Sequence, residues 1–347
     1  MGIFIFLISE NYPHITEKVY SSFVYKYIGQ TLSSITWILP FSLAEFVIVF
    51  SVVFLIKSLL RLVSELKRST EKKKILKKFI YNMLTIIGII YFSFQIMWGL
   101  NYNRITVDLM FNLDTKNPTQ EELVGLCENL IISANNLRAG LHENDDGVMT
   151  LPYKKSEVLN IAYKGFQEAS LIYPNLDVVY GKPKALILSK LMCYTGITGF
   201  IFPFTGEANV NMATPDPFLP YTVTHEMAHQ QGFAREDEAN YIAYITCINH
   251  SDIYFQYSGT LSALNYCMNA LQKINSIKYY DLLDTFDEGI INDLNFNKAF
   301  WKNYSGPVEK VSNKINDTYL KTQKQKAGVK SYGAVVDLLI AEYRKNK

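Results

Sequence analysis

Two long apolar runs, separated by a dense block of positive charge, leave this chain few ways to fold. Leu43 to Leu60 is broken only by Glu45, Ser51, Lys57 and Ser58, and Phe79 to Leu100 carries nothing more polar than Asn82 and Gln95. A helix of about 20 apolar residues crosses the hydrocarbon layer of a bilayer, and buried core helices are usually shorter. The sequence therefore predicts two transmembrane helices, at about 43–60 and 79–100. Trp37 and Trp98 lie near ends of these runs, where amphipathic rings favour the membrane interface. These runs also account for the composition, which is 49% hydrophobic and only 19% charged.

Between the runs, Lys57 to Lys78 holds nine basic residues against Glu65 and Glu71. Basic loops stay on the cytoplasmic side. Residues 61–78 are thus expected to form a cytoplasmic loop, with the N-terminal segment and everything after Asn101 outside. The short apolar stretch Gly2 to Ser9 is too brief to span and reads as the tail of a membrane helix, at residues 1–9. The chain divides on this reading into a membrane region, 1–102, and an extracytoplasmic domain, 103–347. The overall charge is only +2, so the rest of the chain is acidic and nucleic acid is excluded as a partner. Cys127, Cys193, Cys247 and Cys267 are scattered, with no pair at zinc-knuckle spacing.

The outer region reads as mainly α with a small β element. Thr119-x-x-Glu122 is a capping box opening a helix toward Leu141. Ser156 to Ile172 is a second amphipathic stretch, and Ile253 to Lys273, Pro307 to Gln325 and Tyr332 to Arg344 read as helices. Lys184 to Asn211 is rich in Gly, Thr and aromatics instead, which favours strand and turn. Within it Glu207-Ala208-Asn209-Val210-Asn211 is the candidate for a substrate-binding edge strand, with Glu207, Asn209 and Asn211 along it.

The chemistry concentrates at His225-Glu226-Met227-Ala228-His229, an HExxH pattern. Residues four apart share a helix face, so His225 and His229 can offer two imidazole nitrogens to one metal ion. Glu226 beside them is placed to act as a general base. Pro220 can open the helix and Gly232 can close it in the left-handed conformation. A catalytic zinc usually has three protein ligands and one open position. The HExxHxxGxxH form fails here because its last position is Arg235. Glu236, on the helix expected next, is the favoured third ligand, with Asn240 one turn on as its supporting residue and Glu238 as the alternative ligand. Ala239 and Ala243 would let the two helices approach closely.

Several segments resemble a bacterial membrane-protein family known as domain of unknown function 3810. They are Pro40-Phe41-Ser42-Leu43, Trp98-Gly99-Leu100-Asn101-Tyr102, Pro203 to Asn211, His225 to Gln230, Glu236-Asp237-Glu238-Ala239-Asn240 and Tyr257-Ser258-Gly259. Members generally have a fuller first membrane helix than this chain. The resemblance implies N-terminal transmembrane helices followed by a zincin-like metallopeptidase domain, in the bacterial cytoplasmic membrane.

Together these readings predict a multi-pass membrane protein hydrolysing peptide bonds. It would hold one Zn2+ per chain on His225, His229 and Glu236, with Glu226 moving the proton and Tyr257 or His250 stabilising the oxyanion. Its expected partners are the lipid bilayer and a peptide or protein substrate. The alternative is a non-catalytic assembly or sensing protein that retains a zinc site.

Overall fold

In the computed structural model, residues 2–176, 180–323, 325 and 334–347 are described. The chain opens with a helical arm that its apolar pattern barely announces. Helix α1 (Gly2–Asn11) packs along the second long apolar helix, where Gly2 lets Tyr91 and Phe92 come close. Pro13 opens the short α2 (Pro13–Ile15), a wide π-helical stretch follows (Thr16–Tyr25), and α3 runs from Lys26–Trp37. The arm's buried side chains are largely polar, among them Thr16, Glu17, Ser21, Ser33 and Thr36.

Ser42 then caps α4 (Leu43–Arg68) by accepting the Glu45 amide, 3.2 Å. Helix α5 (Lys72–Met97) returns beside it. The link between them is residues 69–71, so the expected loop 61–78 is helical for most of its length. Lys, Arg and Glu are good helix formers, and Lys67 and Arg68 at the end of α4 favour its negative pole. The backbone leaves the helix at Trp98, and Gly99–Asn103 is a 3-10 turn, so the second helix stops short of residue 100. Both helices are long and apolar enough to cross a membrane, and their apolar stretches are almost entirely unburied.

The chain after α5 is mainly helical. After α6 (Val107–Phe111), the capping box opens α7 (Gln120–Arg138) with both of its reciprocal bonds. The amphipathic stretch at 156–172 is two helices, α8 (Lys155–Ile161) and α9 (Tyr163–Ser170). Strand β1 (Lys184–Ala185), α10 (Ser189–Cys193), β2 (Gly199–Phe202) and β3 (Glu207–Val210) follow. The core gathers around α11 (Leu219–Gln230), α12 (Glu236–Ile248) and α13 (Ile253–Ile274), with α13 against α7. Two further helices, α14 (Ser276–Leu283) and α15 (Glu288–Lys302), lie where none was predicted. They precede α16 (Pro307–Thr322) and α17 (Val335–Lys345). Tyr332 and Gly333, the predicted start of the last helix, lie outside the described residues. Tyr173 and Tyr241 anchor α17 by donating to Glu342 at 2.6 and 2.8 Å.

The sheet order is β1-β3-β2, which corrects the edge-strand expectation. β3 is central, parallel to β1 and antiparallel to β2. Its Glu207 and Asn209 side chains face the start of α4 instead of a substrate. Glu207 accepts the amides of Leu43 and Ala44, 3.1 and 2.9 Å, at the positive end of α4. Asn209 pairs with Ser42 at 2.6 Å, and Asn211 holds the backbone of Ile197 and Ala213. Contacts therefore cross the boundary expected at residue 102. All four cysteines are buried and free.

Candidate metal centre

Local geometry brings three donors together. Pro220 sits in the first turn of α11, and the Tyr221 amide donates to Ser258 Oγ, 3.0 Å, so this end of the helix is fixed on α13. Gly232 takes φ +85°, a conformation that favours glycine, and turns the chain sharply after His229. Helix α12 starts four residues later, with Glu236 in its first turn. Ala228, Ala239 and Ala243 are fully buried, and Thr224 Oγ1 lies 3.2 Å from Cys247 Sγ. These small side chains let α11 and α12 pack closely enough for Glu236 to face the histidines.

Glu236 Oε2 lies 3.4 Å from His225 Nε2 and 3.6 Å from His229 Nε2. Donors bonded about 2.1 Å from a tetrahedral ion stand about 3.4 Å from one another. The spacing therefore fits a zinc-sized cation. His229 Nδ1 donates to the Phe233 carbonyl at 2.7 Å, which leaves the Nε2 lone pair for a metal. The Asn240 amide is beside His225. Its Oδ1 accepts from Tyr221 and Tyr266, while its Nδ2 and His225 Nδ1 are buried without a partner among the described residues. The Asn240 Oδ1 is thus committed to two tyrosines, and no bond of its amide to Glu236 is formed among the described residues.

The charges are mutually consistent. Burial lowers His225, whereas at His229 the Glu236 carboxylate outweighs burial and raises the imidazole to about 9. Against its own burial, the two imidazoles hold Glu236 well below the usual carboxylate range. The His229 imidazole and the Glu236 carboxylate thus favour each other's charged forms, and a divalent cation at this spot would compete with the imidazole's proton.

Glu226 is buried one residue along, with Oε2 unpartnered among the described residues, and burial pushes its carboxyl up to about 8. It stands against β2. A Cβ at Gly199 would sit only 2.5 Å from Glu226 Cγ and Oε1. Gly199→Ala is expected to displace this carboxylate without touching the metal donors. Were the site to work as a zinc hydrolase, its rate would fall by about a hundredfold, the scale of a lost general base, with zinc binding unchanged. A wild-type rate would show that the strand gives way instead.

The other expected residues lie elsewhere. Glu238 accepts from the Val107 amide, 3.0 Å, and from Arg235, 2.6 Å, so it ties α12 to the chain that follows α5. The Tyr257 hydroxyl is committed to buried Asp293, which is also paired with Arg138. His250 binds the Ile161 carbonyl and the Asp252 amide and stacks on Phe255. Neither hydroxyl nor imidazole is free to meet an oxyanion.

The residues that sequence reasoning missed come from the N-terminal arm and from the segment that follows α5. Tyr25 donates to the Gln230 carbonyl at 2.8 Å and Trp98 to the His229 carbonyl at 3.2 Å. Arg104 donates to the Gly232 carbonyl at 3.1 Å, lies over the Phe233 ring, and is held by Glu17 through two bonds of 2.7 and 2.8 Å. Three donors thus fix the turn that delivers Glu236. The only advance signal was the Trp98-to-Tyr102 segment, which looked like an interface anchor.

Searches of curated proteins and of solved structures find no match. The profile of the family described as "Protein of unknown function (DUF3810)" matches residues 20–340, and the chain belongs to that family.

Proposed function

We propose that this protein is a membrane-anchored, zinc-dependent metallopeptidase with a zincin-like outer domain. The observation that carries the reading is the spacing of His225, His229 and Glu236, with the Glu226 carboxylate next to them and no fourth protein donor in the group among the described residues. A structural zinc site normally closes all four positions, which weighs against the alternative of a non-catalytic assembly or sensing protein. Bound zinc would supply a Lewis acid that brings a water's pKa toward about 7. Glu226 would take the proton as that water attacks a peptide carbonyl and deliver it to the departing amine. His225 and Glu236 keep 14% and 13% of their side chains exposed, so the donors can be reached from one side.

Strand β2 replaces β3 as the substrate edge. It pairs with β3 on one side, carries no strand on the other among the described residues, and begins at Gly199 beside Glu226. An extended peptide could add there by main-chain hydrogen bonds. The full chain in detergent should cleave denatured casein, lose that activity to a zinc chelator and regain it with added zinc. Absence of cleavage by a zinc-loaded, folded chain would favour the non-catalytic alternative.

The same reading places the protein in the bacterial cytoplasmic membrane, with the turn at 69–71 and the basic helix ends that flank it inside and the metal centre outside. A reporter fused after Leu66 is expected to behave as cytoplasmic and one after Arg104 as extracytoplasmic. The reverse pattern would move the site to the cytoplasm.

A further inference from the structure

One face of the N-terminal arm has no partner among the described residues. Ile15, Val19, Phe23 and Tyr27 recur every four residues and are all exposed, and the Phe23 and Tyr27 rings touch at 5.2 Å between centroids. Lys18 and Lys26 run beside this stripe. A row of large apolar side chains flanked by lysines is the pattern of a helix lying in a membrane interface, where the lysine stems cover apolar surface and the ammonium groups reach the phosphates.

The depth of the arm fits. Tyr20 donates to the Ile96 carbonyl at 3.1 Å, in the last turn of α5, where the second apolar run ends. Helix α3 leads into α4 through only residues 38–42, so the arm is continuous with a membrane helix at that level. Its opposite face reaches the metal centre, through Tyr25 on the Gln230 carbonyl.

We propose that residues 15–27 lie in the headgroup layer of the leaflet from which α4 and α5 emerge, with Ile15, Val19, Phe23 and Tyr27 turned into lipid. The end of the HExxH helix then stands within about one helix diameter, ~10 Å, of the bilayer surface. Polypeptide close to the membrane is the substrate this places at the cleft. The proposal rests on the reading of α4 and α5 as membrane-spanning.

Bimane attached to single cysteines tests it, because the native cysteines are buried and poorly placed to react. Phe23→Cys probes the stripe, Phe50→Cys the middle of α4, and Ile277→Cys the exposed surface of α14. The labelled full-length chains would be placed in phosphatidylcholine nanodiscs carrying bromine near the headgroups or deep in the acyl chains. Shallow bromine should quench position 23 about twofold, deep bromine should quench position 50, and neither should affect position 277. Quenching at 50 without quenching at 23 would overturn the proposal alone. With the label at 23 unquenched, a disulfide formed between two unlabelled Phe23→Cys chains under added copper–phenanthroline and oxygen would do the same and assign the stripe to a second copy. No quenching at 50 would overturn the spanning reading and the proposal with it.

Discussion

Glu226→Gln is expected to yield a folded, zinc-loaded chain whose hydrolysis is slower by about a hundredfold to ten-thousandfold. The amide has nearly the shape of the carboxylate and still fits against Gly199, but it cannot accept a proton at neutral pH. Glu226 is not among the three converging donors, so zinc content should stay near that of the parent chain. Cleavage rate and metal content measured on one preparation separate the two roles. Full activity in the glutamine variant would remove Glu226 as the base, while joint loss of zinc and activity would make it part of the metal site.

Glu17→Ala is expected to be the most damaging change outside the donor set. Arg104 and Glu17 keep only 6% and 11% of their side chains exposed, and the guanidinium also carries the Gly232 carbonyl and rests on Phe233. Removing one partner of a buried ion pair leaves an uncompensated charge, at a cost of about 3–5 kcal/mol. Chemical unfolding of the detergent-solubilised chain would measure it, and zinc retention should fall too, because the loosened turn is the one that positions Glu236. Replacing both partners at once, Glu17→Leu with Arg104→Met, should be much milder, since a well-packed apolar pair has no buried charge to strand. A single-variant cost under about 1 kcal/mol would mean that water reaches Arg104 and that the arm does not hold the turn.

The convergence of His225, His229 and Glu236 was legible in the sequence because its geometry is local. His225 and His229 share a face by helix spacing alone, and Gly232 announced the turn that brings Glu236 back. Glu236 and Glu238 could not be separated from sequence, but residues two apart on a helix point in very different directions. The structure turns Glu238 to Val107 and Arg235 instead. The strand at Glu207 was legible and its central place was not, since β1 has two residues and β2 shows no alternation of burial. The helical arm at 10–38 was missed because it buries Thr, Glu and Ser and exposes Ile, Val and Phe, the inverse of a soluble helix. The charged ends of α4 and α5 were taken for loop because charge was read as topology, and the helix propensity of lysine and arginine was overlooked.

Metal analysis of the purified full-length chain tests the central claim most directly. The account predicts about one zinc per chain, with a first shell of two imidazole nitrogens and carboxylate oxygen by X-ray absorption, lost on Glu236→Ala and kept on Glu238→Ala. A folded, full-length chain that takes up no zinc at neutral pH, or that loses it on Glu238→Ala and keeps it on Glu236→Ala, would contradict the site described here.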